Sequence, residues 1–342
     1  MKKCYINGIG VISAQKFVEH SFTKDLKCVS ENLNFAQHPD YKEIISANQL
    51  RRMSSAVKMG IFSGLKAFQN AKIFDVDAII IGTGLGCLSD SEKFLKNMID
   101  NDEEFLTPTA FIQSTHNTVA AQIALQLKSN AYNFTYVNGG NSFESALLDG
   151  LMQIQSEESS NVLVGGIDEI AQRTHELYQL INVIKSTNNS VGARFAEGST
   201  FFALSSEKND DTFAEILDVK IINSITPNEI ELFVTDFLKE NQLDINSIDA
   251  FLIGKNDDER FDSFYDFFLQ NEKSTVGVYK AFSGEYETAS AYGLAIASEI
   301  LKTQNFPSIL KINQNSGKEF NYILLYNQFN GINHSLVLIK KC

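Results

Sequence analysis

Residues 76–82 read VDAIIIG, an apolar run that stops on glycine without polar alternation, and residues 248–254 repeat nearly the same string as IDAFLIG. Uninterrupted runs of this length are the pattern of strands buried on both faces, as in parallel sheets between helical layers. FFAL at 201–204 and NVLVGG at 161–166 predict two more such strands, and 133–137 (NFTYV) a β-rich run leading into a glycine turn and a helix pattern over 142–149. After the first run, the turn TGLG at 83–86 opens a helix through Glu92 to Met98. The spacing of Val119, Ala120, Ile123, Ala124 and Leu127 predicts a helix over 115–127, with Ser114 or Thr115 as its N-cap. A long small-residue helix is expected over 288–301. Strand and helix patterns that alternate, with a string that recurs, predict an α/β fold of two related βαβαβ halves. The polar stretch 205–212 is the expected boundary, giving halves 1–208 and 209–342, with no low-complexity linker.

Composition narrows the function. At 342 residues, 44% hydrophobic and 21% charged, the chain can bury a large core. Its net charge of −13, with no basic patch to offset it, argues against nucleic acid, where affinity comes from clustered Lys and Arg. Four cysteines without paired spacing, and no leading signal pattern, predict a protein of the reducing cytoplasm. Apolar runs such as 78–81 are far shorter than the roughly 20 residues of a membrane helix, so a soluble protein is expected. Five scattered histidines offer no metal site. The glycines at 82–86 do not complete a dinucleotide loop and read as a tight turn, so no cofactor is expected.

Several motifs in order carry a resemblance. YINGIGVI at 5–12, GTGLG at 82–86, NVLVGG at 161–166 and GINHSLVL at 331–338 resemble, over nearly the whole length, the β-ketoacyl synthase branch of the thiolase-like superfamily. The resemblance implies a thiolase-like five-layered α-β-α-β-α fold. It implies a chemistry in which a cysteine thiolate at a helix N-terminus takes an acyl group from an acyl carrier protein while two imidazoles assist decarboxylation of the malonyl extender. By the same resemblance, the nucleophile position falls on or near Gly140, where residues 139–142 read GGNS, and no cysteine occurs between Cys87 and Cys342. The first imidazole position falls on Gly254. The second falls on Glu285 of a Lys-x-x-x-Gly pattern that keeps Lys280 and Gly284.

A frame kept without the three catalytic side chains is similar to the chain-length factor, a non-condensing homologue that pairs with an active ketosynthase. The strings at 142–149 and 283–290 also resemble ketosynthase-like proteins of aryl-polyene and flexirubin-type pathways. This implies a heterodimer, or else a homodimer, that meets acyl carrier protein in type II fatty-acid or polyketide synthesis. It implies pairing along 134–137 and an acyl tunnel near Phe111, His116 and Thr118. Two alternatives stand beside it: an acyltransferase or hydrolase that uses Ser142 as nucleophile with His334 or His116 as base, and a non-catalytic carrier-binding scaffold. Each candidate also has a structural reading: Ser142 as a helix N-cap, Lys280 and Glu285 as a buried ion pair, and His334 and His116 as hydrogen-bonded structural residues.

Overall fold

The computed structural model describes the chain except residues 1, 17, 19–20, 52, 105, 107, 187–190, 314 and 316–318. Ten strands form one mixed sheet: β1 (Cys4–Ile12), β2 (Ala78–Gly82), β3 (Tyr132–Tyr136), β4 (Asn161–Asp168), β5 (Gly198–Ser205), β6 (Ala214–Asn223), β7 (Ala250–Ile253), β8 (Thr275–Val278), β9 (Tyr322–Phe329) and β10 (Asn333–Lys340). Their order is β8-β7-β9-β10-β6-β1-β5-β4-β2-β3. From the central β1–β6 junction outward, each side runs first, fifth, fourth, second and third strand of its own set. Two antiparallel pairings are followed by two parallel ones on both sides. The recurrence of the two apolar strings is thus a recurrence of topology, because β2 and β7 hold the same place in each set.

The sets meet through a short antiparallel contact of Cys4, Tyr5 and Ile6 with Ile216, Glu215 and Ala214. Beyond it they lie on opposite sides of a central helical layer made of α5 (Ser142–Gln155) and α8 (Ser290–Thr303). Side-chain alternation along each strand shows the layering. Ala78 and Ile80 face this central core, as do Ile323 and Leu325 of the other set. Ile79 and Ile81 face an outer layer holding α1 (Ser55–Ala71) and α4 (Thr118–Leu127). Leu324 and Tyr326 face α7 (Ile230–Glu240) on the opposite outside. Five layers result, and α8 is buried from Ser290 to Leu301 because sheet covers it on both sides. Its Ala, Gly and Ser positions give the close approach that two flanking sheets demand.

Helix boundaries differ from expectation at informative places. α2 spans Leu88–Asp100, longer at both ends than the periodicity of 92–98. The helix expected over 115–127 is two: α3 (Pro108–Ser114) and α4, which begins at Thr118 after Asn117. Ser114 therefore closes a helix instead of capping one, and the hydroxyls of Thr115 and Thr118 both donate to the Ile112 carbonyl, 2.9 Å away, to turn the corner. α6 (Gln172–Leu180), after β4, has no counterpart among the expected helices. No helix of the described residues is long and apolar enough to cross a membrane, and none of their His, Cys, Asp and Glu side chains gather as a metal cluster.

Candidate functional site

At one end of the sheets, four chain segments converge: the turn between β3 and α5, the residues after β7, the stretch after β8, and the β9–β10 corner. They bring Gly140, Ser142, Gly254, Lys280, Glu285 and His334 into one neighbourhood. Crevices outside the carboxyl ends of parallel strands are where α/β sheets place ligands.

The β3–α5 turn is held by amides. The Gly140 N–H donates to Asn333 Oδ1 at 3.3 Å, and the side-chain amides of Asn141 and Asn333 both donate to Asn223 Oδ1, at 2.8 and 3.0 Å. A Cβ on Gly140 would stand 2.3 Å from Cβ of Phe329, so no side chain fits there as the chain is packed. A Cβ on Gly254 would stand 2.6 Å from the Tyr279 hydroxyl and 3.1 Å from both Asn327 Oδ1 and Lys280 Cε. Both positions are glycine because neighbours fill the space.

Ser142 does not cap α5. It is the helix's first residue, fully buried, and its hydroxyl donates to the Gly139 carbonyl at 2.7 Å and accepts from the Asn138 N–H at 2.8 Å, closing the preceding turn. The N-cap expectation is corrected: Asn141 holds that position, without a side-chain bond to the helix. Engaged by two backbone groups, the Ser142 Oγ has no imidazole among its hydrogen-bond partners, and serine attack needs a base within reach. Ser142→Ala is expected to cost about 1–3 kcal/mol, the scale of leaving buried partners unpaired. Denaturant unfolding measures this, and labelling by an acyl electrophile that vanishes in the variant would instead revive the nucleophile reading.

Lys280 and Glu285 form a buried ion pair, with Nζ 2.8 and 2.9 Å from the two carboxylate oxygens. Lys280 also donates to the Gln328 carbonyl at 2.7 Å, and Asn256 donates to Glu285 at 2.6 Å. Burial pushes the Glu285 pKa up while the Lys280 charge opposes it. The contact of the ammonium with both oxygens is that of a charged pair.

His334, which the family resemblance puts in the terminal loop closing on the active site, sits inside β10 and is fully buried. Its Nδ1 lies 3.0 Å from the Tyr326 hydroxyl and its ring 4.8 Å from that of Phe264. Burial pushes its pKa down to about 4, so it is neutral at pH 7.

Glu144, in the first turn of α5, accepts from Ser335 Oγ at 2.7 Å and Asn327 at 3.3 Å, while Asn327 accepts from the Tyr279 hydroxyl at 2.8 Å. Burial raises its pKa. Glu144, Asn256, Asn327 and Phe329 all shape this corner, and sequence reading singled out none of them as site residues. A polar residue in an apolar helix stripe, as Glu144 is, was the one available signal.

The remaining candidates lie beside α2. Phe111 is exposed, its ring 5.6 Å from Phe94, and Ile112 is exposed next to it. Thr118 is buried at the α3–α4 corner, and the exposed His116 packs its ring against Gly86.

The layered architecture is that of thiolase-like enzymes. It aligns over 100% of the chain with the ishigamide ketosynthase/chain length factor (TM-score 0.83, 14% identity, 99% of that chain). It aligns equally fully with a type II PKS acyl-carrier protein in complex with its ketosynthase bound to the hexaketide (TM-score 0.78, 14% identity, 100% of that chain). The same holds for a ketosynthase (ApeO) in complex with its chain length factor (ApeC) from Xenorhabdus doucetiae (TM-score 0.77, 13% identity, 98% of that chain). No curated protein sequence matches. Residues 30–221 match the model of the beta-ketoacyl synthase N-terminal domain, and the chain belongs to that family.

Proposed function

We propose that this chain is a non-condensing ketosynthase-family subunit that pairs with an active ketosynthase in a type II fatty-acid, polyketide or aryl-polyene-type pathway and helps set acyl chain length. The observation that carries the reading is the filling of the corner. Where the family resemblance puts a thiol and two imidazoles, this chain has Gly140 against Phe329, Gly254 against Tyr279, and Glu285 paired with Lys280.

The sheet's two edge strands, β8 and β3, differ in what covers them. β8 is covered, since the Ile312 N–H donates to the Val276 carbonyl at 3.0 Å and Lys311 bridges Gly277. Among the described residues β3 has no such cover: Tyr132, Phe134 and the following Val137 are exposed, with the Tyr132 and Phe134 rings stacked at 6.2 Å. Leu125 of α4 and Phe111 and Ile112 of α3 are also exposed large apolar residues. An open aromatic edge strand invites pairing with another chain.

Acyl carrier protein as a partner is supported by the likeness to a ketosynthase held in complex with its carrier protein.

In the assembled pair, Phe111→Ala is expected to lengthen the product or broaden its distribution, because a large apolar side chain on the pairing face limits chain growth. Thr118 is a poorer probe, since enlarging it would disturb the Ile112 corner first. Co-purification of a stoichiometric ketosynthase from the native host and mass analysis of its products check both points. A chain that purifies alone, or an unchanged product from a well-assembled Phe111→Ala pair, would leave the carrier-binding scaffold as the better reading.

A further inference from the structure

We propose that Phe329 is the residue that seals the family's reaction cavity in this chain, so that acyl thioesters are excluded from the corner itself and meet this subunit only on its pairing face. The inference deepens the reading above and rests on its assignment of the corner.

Phe329 ends β9 and is 8% exposed. Its ring belongs to a small apolar cluster with Ile184, Ala193 and Phe195, away from the main cores. Its own Cβ occupies the place into which a side chain at 140 would project. Polar contacts hold the β9–β10 corner on either side of it: Asn333 grips the Gly140 amide and Asn223, Gln328 Nε2 donates to the Tyr265 hydroxyl at 2.9 Å, and Gln328 Oε1 accepts from the Gly331 N–H at 2.8 Å. Gly331 keeps a positive φ of 63° and lies under the Phe261 ring, 2.7 Å from where its Cβ would be, so the turn is itself capped. Beneath it, the Tyr265 hydroxyl donates to the Gly254 carbonyl at 2.6 Å. The corner is therefore filled by side chains bonded to one another, with Phe329 the apolar side chain that stands against Gly140, just before the α5 N-terminus.

A thiol reports on access. At residue 142 it would stand fully buried at the start of α5, so its rate is read against both the exposed Cys28 and the buried Cys87 in the same chain. Iodoacetamide is the probe: the thiolate sulfur forms the C–S bond, iodide leaves and the thiol proton goes to buffer. Cys28 is exposed and Cys4 and Cys87 are buried, so fast and slow references lie in the same chain. In folded Ser142→Cys, the introduced thiol is expected to react at least about 100-fold more slowly than Cys28, as a group reached only through local opening does. With Phe329→Ala added, its rate should come within about tenfold of Cys28. Phe329→Leu, which keeps an apolar side chain, serves if the alanine variant does not hold its fold, and should give an intermediate rate. Alkylation of Ser142→Cys as fast as Cys28, in protein with the wild-type unfolding midpoint, overturns the proposal. So does unchanged protection when Phe329 is shortened. Neither result bears on condensation, which the unmodified chain answers by itself.

Discussion

Incubated with acyl- and malonyl-carrier protein, the purified chain is expected to return both unchanged by intact mass, without carbon dioxide release and without an acyl adduct on itself. Ketosynthase chemistry passes through an acyl-thioester on the enzyme, and neither residues 139–142 nor any other position between Cys87 and Cys342 holds a thiol. Cys4 and Cys87 are buried, and burial pushes the Cys4 thiol well up and the Cys87 pKa up to about 12, so neither is a thiolate at pH 7. Removing the nucleophile or its base from a covalent mechanism lowers turnover by a factor on the order of a million. Turnover near that of an intact ketosynthase, from protein free of any partner, would sink the non-condensing reading.

Breaking the Lys280–Glu285 pair should give the largest loss of stability of any single change at the corner. Lys280→Met leaves a carboxylate with one amide partner in a dry interior, and Glu285→Leu leaves an ammonium with one carbonyl. Each is expected to cost about 3–5 kcal/mol. The double variant should cost clearly less than the two singles together, because it removes both charges and their desolvation penalty at once. Chemical denaturation of the three variants checks this. Additive losses would mean that each charge has its own support and that the pair is incidental. If either single variant unfolds outright, the double variant should still fold.

The legible part of the fold was the part encoded by local pattern. VDAIIIG and IDAFLIG could be read as buried strands from their lack of alternation, and their repetition foretold that β2 and β7 hold equivalent places. The α3–α4 corner was not legible, because 115–127 carries an apolar stripe compatible with one helix. Only the hydroxyls of Thr115 and Thr118, both turned to Ile112, show where the chain bends. His334, between Asn333 and Ser335, was placed in a loop because the family resemblance of 331–338 put a terminal active-site loop there. In the structure these polar groups are strand residues turned to Asn223 and Glu144.

The sequence by itself determined the family frame, the parallel-strand pattern and the absence of a thiol between Cys87 and Cys342, since each is a property of residue identity and order. Tertiary structure alone decided what stands where the chemistry would be. Phe329 meets Gly140, and Asn256 joins Glu285 and Lys280, across separations of 189 and 29 residues that no local pattern reports. Whether a glycine marks an empty pocket or a filled one depends on side chains delivered from other strands. Close packing settles that only once all the layers are in place.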